Sequence, residues 1–385
     1  MDFSILGGIL LGTITGMIPG VHPNLVAGIL VTMPLAKPAT LIFATAITHT
    51  FLNTIPATYL ATPDPESAAS AHPMQEYARK GKGHEAILLT LIGSLVALLG
   101  TTALIPFVRT FLKKIYPYAE KSIPWMLLYT SMFLINRQKN KRAAAIIFCL
   151  SGLLGVVTLQ DAIQEPLLPL FTGLFAFPAL LLTTNRNANP QIITEPEVTT
   201  SSAKTIGQSL FFGSFFSFLP ALGPAQAASI QTTVCKNNKK SDFLILVGCL
   251  NTVNIVFSVA TLLELNRARN GAVAAIQSLG TVTPPEITSL FALGLLLAFP
   301  CTVLCILLSR QCAIIKNKIN PEAVGKWTIF LLLILIVVLS GGTGLLIVSA
   351  ATIIGYLPYK YDVNKTTLMG VLMIPTMIFY FGRVF

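Results

Sequence analysis

The chain has 385 residues, of which 54% are hydrophobic and 11% charged, with a formal net charge of +11 from 26 Lys+Arg against 15 Asp+Glu. Soluble globular domains carry about 25% charged residues, so this composition excludes a water-facing surface over most of the molecule. Nucleic-acid binding is excluded as well, because no basic stripe carries interleaved aromatics.

A spanning helix needs roughly 20 apolar residues, which leaves room for about ten to twelve spans. A β-barrel would alternate apolar and polar positions. Here the apolar runs are continuous, as in Ile87–Ile105 and Trp327–Leu339, and continuous runs mean helices. The expected fold is all-α: a polytopic membrane protein in the lipid bilayer, multi-pass in the cell membrane. Met1-Asp2-Phe3 lacks the basic region of a signal peptide, so the first apolar stretch is expected to be retained. The basic excess is what the positive-inside rule produces. The six cysteines form no CxxC and read as small packing residues, not as a disulfide framework or a metal site.

In chain order, apolar segments fall near 3–35, 39–61, 84–108, 122–136, 143–159 and 166–183. A polar linker, 184–204, contains Asn-Arg-Asn-Ala-Asn-Pro and Thr-Glu-Pro-Glu. Six more segments follow near 205–235, 242–264, 286–309, 326–340, 343–358 and 366–382. The predicted organisation is a first membrane repeat over 1–183, the linker, and a second repeat over 205–385.

The halves are related. Gly12, Pro19 and Pro23 recur as Gly213, Pro220 and Pro224 (220 − 19 = 201), and Trp125 recurs as Trp327. Thr172 to Pro178 resembles Met369 to Pro375. Loop charges point to inverted repeats with broken or re-entrant helices. Arg137, Lys139, Lys141 and Arg142 have as counterpart the uncharged Ser340-Gly341-Gly342-Thr343, whereas Asp161 and Glu165 have as counterparts Lys360 and Lys365. Basic loops mark the cytoplasmic side. The loops after each third segment are basic in both halves and do not discriminate.

The chemistry is expected where the helices break. Pro19, Gly20, Val21, His22, Pro23 and Asn24 form the first break. Pro220, Leu222, Gly223, Pro224, Ala225 and Gln226 belong to the second. Proline removes an amide donor and clashes with the preceding turn. Inside a membrane the freed backbone groups are tolerated only where they are buried or line a wet cavity. A broken helix also turns an N-terminal half-dipole toward an anion. Paired breaks at matching positions are the sequence mark of a transporter site. Asp64, Glu66 and Ser67 end another polar stretch, and Arg267 and Arg269 could pair with a carboxylate. Asn53, Thr54, Asn251, Thr252 and Asn254 are polar groups within spans and suit ion coupling, with Na+ the only cofactor in view.

His22 and His49 lie in or beside apolar runs; no HExxH, Walker A or GxSxG spacing occurs, so metal catalysis, ATP-driven transport within the chain and serine hydrolysis are not expected. Three functions compete. The first is a secondary transporter for a small organic anion, coupled to Na+ or H+, with substrate held between the two breaks. The second is a translocase for a lipid-linked phosphate carrier. The third, a membrane-embedded enzyme using Asp64, Glu66 and His22, is disfavoured by the lack of catalytic spacing, and the reading is that the chain is no enzyme.

These residues resemble the TctA family, the large membrane subunit of tripartite tricarboxylate transporters. That family opens on a Gly-rich helix leading to a PGxGP-like break, here Gly12, Gly16 and Pro19-Gly20-Val21-His22-Pro23. A PGxPxS-like turn corresponds to Pro63-Asp64-Pro65-Glu66-Ser67, and the stretch after it to Pro73 through Gly81. Gly173-Leu174-Phe175-Ala176 matches a GLFA element, and Pro220-Ala221-Leu222-Gly223-Pro224 fits the second break. His22 and Asp64 stand where the family has glycine. The resemblance implies a cation-coupled carboxylate carrier with a small membrane subunit and a solute-binding protein as partners.

Overall fold

The computed structural model describes residues 3–60, 71–160, 165–182, 189–236, 239–280, 282–316 and 320–384. Asp64, Glu66, Ser67 and Asp161 lie outside the described residues.

The described residues form helices and no strand. In the first half, α1 (Phe3–Met17) and α2 (Pro23–Val31) are the arms of the first broken helix. α3 (Pro38–Leu52) meets α4 (Thr54–Tyr59) at Asn53, and α5 (Ala71–Arg79) is a short polar helix before the long α6 (Gly83–Glu120). α7 (Ile123–Asn136) and α8 (Lys141–Gln160) follow. The last apolar segment is α9 (Leu167–Phe171), a widened π turn at Thr172–Ala176, and α10 (Phe177–Leu181). The second half contains α11 (Thr200–Phe216), α12 (Pro224–Cys235), α13 (Lys240–Leu265), α14 (Gly271–Ser278), α15 (Pro284–Lys316) and α16 (Pro321–Tyr361). A 3-10 turn at Lys365–Met369 leads into α17 (Gly370–Val384).

Six of the described helices are long and apolar enough to cross a bilayer, from Gly83–Lys114 to Lys365–Gly382. The chain is therefore a multi-pass membrane protein. At 1.5 Å per residue α16 would measure about 60 Å, twice a ~30 Å hydrocarbon core. It turns back instead at Gly341, whose φ of 65° and ψ of −161° are not helical. A side chain there would be strained.

α13 is the most enclosed span, with 94% of its apolar window buried. It packs along α6, α11 and α3, and α3 in turn packs along α1. Phe43 and Phe51 of α3, Leu98 of α6, Val259 of α13 and Leu297 of α15 share one core. Lipid is as apolar as leucine, so such helices gain by close packing and not by leaving water.

Two of the crossings between the halves pair a proline with a glycine. The π turn and its flanks pack on α16, and α17 packs on α8. Pro178 and Pro375 cannot donate to the carbonyls four residues earlier, Leu174 and Val371. A glycine of the other half lies against each: a Cβ on Gly355 would come within 2.4 Å of Leu174 O, and one on Gly155 within 2.0 Å of Val371 O.

The polar linker is strapped down. Ile192 N–H donates to Gly81 O at 2.7 Å, Gln191 Oε1 accepts from Gly83 N–H at 3.1 Å, and its Nε2 donates to Ala78 O at 2.8 Å. α11 starts at Thr200, inside the stretch read as linker, because Thr199 and Ser202 cap it. Ser201 and Ser202 both donate to Asp242 in the first turn of α13.

Candidate functional site

At the first break α1 ends at Met17 and Gly20 takes a φ of +82°. Leu332 and Ala176 close over that glycine, and Val21, Leu25, Phe177 and Ile336 form the surrounding apolar cluster. His22 is extended and caps α2: its Nδ1 accepts from Asn24 N–H at 3.2 Å. Pro23 occupies the first helical position, where its missing N–H costs nothing.

α14 begins against this turn. Asn24 Oδ1 accepts from Ala272 N–H at 2.9 Å, and Gly271 packs so close that a Cβ on it would lie 2.5 Å from Asn24 Cγ. Asn270 caps α14 by accepting from Val273 N–H at 2.9 Å. Ser258 of α13 accepts from Arg269 N–H at 2.8 Å and Asn270 N–H at 3.0 Å. The N-termini of α2 and α14 thus converge on Asn24. Asn270 Nδ2 is buried there without a hydrogen-bond partner. It is a donor, and the two helix ends are partially positive. The arrangement suits an anion.

His49 of α3 adjoins the same turn. It is 1% exposed, its ring centroid is 5.2 Å from that of His22, and its Nδ1 is 3.2 Å from Thr15 Oγ1.

The second break is built differently. Ala221 has a φ of 61°, and Gln226 Oε1 reaches back to accept from Gly223 N–H at 2.9 Å. Gln226 Nε2 is buried and unpartnered. Leu219 and Leu222 pack in a core with Ile123 and Leu127 of α7 and Met373 of α17, while Pro224 and Ala225 are buried at the start of α12. Each break therefore has its own surroundings, and α3 and α13 lie between α1 and α11.

The remaining predicted residues divide. Asn53 is 2% exposed at the α3–α4 joint, with both amide atoms unpartnered. Asn251 and Thr252, inside α13, are likewise buried with unpartnered polar atoms. Thr54 and Asn254 are buried too. The guanidinium groups of Arg267 and Arg269 turn away from Asn24 to the C-terminal end of α6. Both lie over the Tyr116 ring, at 5.5 and 5.3 Å, and both donate to its hydroxyl, while Arg267 pairs with Glu120. Among the described residues no group of three or more His, Cys, Asp or Glu is placed to hold a metal.

Ser258 and α14 are not among the features the sequence singled out, and Asn270 and His49 carry no role in the sequence reading. Asn270-Gly271 before an apolar stretch is a capping signal, but an eight-residue helix is too short to register among long spans.

A family model, the tripartite tricarboxylate transporter TctA family, matches residues 3–370. The chain is 28% identical over 389 aligned residues to an uncharacterized protein of Methanocaldococcus jannaschii, covering 97% of both. No solved structure matches.

Proposed function

Because this chain belongs to the tripartite tricarboxylate transporter TctA family, we propose that it is a secondary transporter that moves a small organic carboxylate across the cell membrane, drawing on a sodium or proton gradient. Membership of the family implies the membrane component of a tripartite transporter. What supports this reading is the convergence of the α2 and α14 N-termini at Asn24, beside the unpartnered donor of Asn270. A carboxylate placed there would meet the Asn270 side-chain amide and the positive ends of two helices.

In this reading substrate passes between the two breaks, with α3 and α13 as the elements they share. Pro19 through Asn24 and Pro220 through Gln226 supply backbone and side-chain contacts. Asn251, Thr252 and Asn254 offer oxygens of the kind a sodium ion takes. A small membrane subunit and a solute-binding protein are the partners. The chain is organised as two repeats, 1–183 and 205–385, inserted in opposite senses. The crossings of Gly355 on Leu174 and Gly155 on Val371 support that pairing. Cysteines at positions 139 and 342 should then label from opposite sides.

Uptake of radiolabelled carboxylates into proteoliposomes, with and without sodium or pH gradients, tests the function. Gradient-driven accumulation that Asn270→Ala abolishes supports it; uptake indifferent to that substitution would sink the assigned site.

The lipid-linked phosphate translocase keeps one observation in its favour. A groove of about 470 Å³ between α7, α11 and α12 is lined by Trp125, Phe216, Leu219 and Ile230, beside the second break. Flipping of a polyprenyl phosphate by the purified protein, without carboxylate uptake, would decide for it.

A further inference from the structure

The loop between α7 and α8 and the turn between α16 and α17 form one corner of the molecule. Lys139 Nζ is 3.5 Å from Asp362 Oδ2, Gln138 Oε1 accepts from Asn364 N–H at 2.9 Å, and the 3-10 turn packs on α8. Segments 137–142 and 360–365 carry six basic residues, Arg137, Lys139, Lys141, Arg142, Lys360 and Lys365, against one acidic residue, Asp362. Among the described residues only Lys139 of the six has a carboxylate partner.

Lys365 is not an ordinary solvated lysine. It is half-buried, and its ammonium lies 4.4 Å from the centroid of the Tyr359 ring, with no carboxylate against it among the described residues. The Tyr359 hydroxyl is itself buried without a hydrogen-bond partner. An aromatic face attracts a cation but brings no negative charge to neutralise it. The turn therefore holds positive charge and hydrogen-bond donors that the protein leaves unmatched.

Two weakly enclosed spans run from this corner. Only 28% of the apolar window of α16 and 39% of that of α8 is buried, the lowest shares among the six spans. On α8 the exposed residues Arg142, Ile146, Leu150, Leu153 and Val157 follow helical spacing, so a guanidinium heads an apolar stripe. On α16 Leu346, Ile353, Tyr356 and Lys360 repeat the pattern, and α8 packs on α16. The opposite ends differ. There Ser340 Oγ donates to Glu165 O at 3.3 Å, and neither 155–160 nor 340–346 contains a basic residue.

Basic ends mark the cytoplasmic side, and anionic lipids gather in that leaflet. We propose that this corner binds an anionic phospholipid of the cytoplasmic leaflet, its phosphate held by Arg142, Lys360 and Lys365 and its acyl chains lying along the stripes of α8 and α16. A free phosphate would use the cations but not the stripes, and the two occur together on both helices. Arg142 lies in the first half of the chain, and Lys360 and Lys365 lie in the second. The lipid would thus bridge the halves where Lys139 meets Asp362. The site does not depend on what the chain transports.

Full-length protein in nanodiscs of phosphatidylcholine mixed equally with phosphatidylglycerol, released intact into a mass spectrometer, reports which lipid stays bound. Phosphatidylglycerol should be retained in preference to phosphatidylcholine. The unfolding temperature should be higher in the mixture than in phosphatidylcholine alone. Lys360→Gln or Lys365→Gln should each cut the preference about fivefold, the worth of one cation beside an anionic headgroup, and Lys365→Arg should keep it. Lys121→Gln, at the other end of α7, should leave the preference as in the parent. Each variant is compared with itself in two lipid compositions, so a general loss of stability does not imitate the effect. No preference in the parent, or an equal loss in Lys121→Gln, overturns the proposal. Inorganic phosphate added to phosphatidylcholine nanodiscs should not raise the unfolding temperature; a rise equal to that given by phosphatidylglycerol would make this a free-anion site and overturn the lipid assignment.

Discussion

The backbone of Gly355 lies against the carbonyl oxygen of Leu174, at a distance where a methyl group on Gly355 would be 2.4 Å from that oxygen. Pro178 frees the carbonyl, and glycine lets the other half of the chain approach it. The same pair of devices, Pro375 with Val371 and Gly155, joins the halves at the second crossing.

Gly355→Ala should therefore destabilise the protein by roughly 1–3 kcal/mol, since the methyl meets backbone and the helices must part. The control is Gly207→Ala, where a Cβ meets nothing within 4 Å. There alanine should be neutral or stabilising by up to about 1 kcal/mol. Unfolding temperatures in one detergent compare the two; equal effects would remove the crossing from the account of stability.

Asn24 separates structure from transport. Asn24→Leu leaves Ala272 N–H without its acceptor, and a buried unpaired donor costs about 1–3 kcal/mol. Asn24→Asp retains the acceptor and adds a charge that helix N-termini favour. That charge occupies the proposed anion site. The Asp variant should be as stable as the parent yet fail in carboxylate uptake, and normal uptake by it would remove the site from α2 and α14.

The ion pairs of Glu76 with Lys80 and Lys240 join α5 to the start of α13. Hydrogen bonds from Lys240 and Lys80 hold its carboxyl down from 4.5 to about 2. A lowered value means that the stabilisation is present above the ordinary carboxyl value and is lost as pH falls from about 4.5 toward 2. Glu76→Gln should melt slightly below the parent at pH 7 in low salt. The gap should close on acidification through that window and in high salt. A gap that widens in acid would contradict the pairing.

Gln191 is the peg of the linker strap, bonded to both Gly83 and Ala78. Gln191→Ala should speed proteolytic cutting of the 189–199 stretch several-fold with little change in unfolding temperature, because local opening precedes cleavage there. An unchanged cutting rate would mean that the backbone bonds of Ile192 N–H to Gly81 O and Asn189 N–H to Arg79 O hold the strap by themselves.

Some of this is local and could be read from the sequence. Long apolar runs can only be spans, Pro19 with Pro23 and Pro220 with Pro224 must break helices, and the breaks sit at matching positions. The TctA resemblance rests on such short Pro/Gly strings, and the family match bears it out over residues 3–370. Periodicity and backbone chemistry act within a few residues, so they leave marks in the string.

What each break touches leaves no such mark. Asn24 accepts from a backbone amide 248 residues away, and Thr15 meets the imidazole of His49 across 34 residues. The sequence offered Arg267 and Arg269 as substrate ligands, but the fold draws their guanidinium groups onto Tyr116 and brings the caps of α2 and α14 together instead. Composition determined that this chain lives in a membrane and where its helices stop. Only packing decided which stops meet, because helices in lipid choose neighbours by shape and by unsatisfied backbone groups, and both are properties of two surfaces at once.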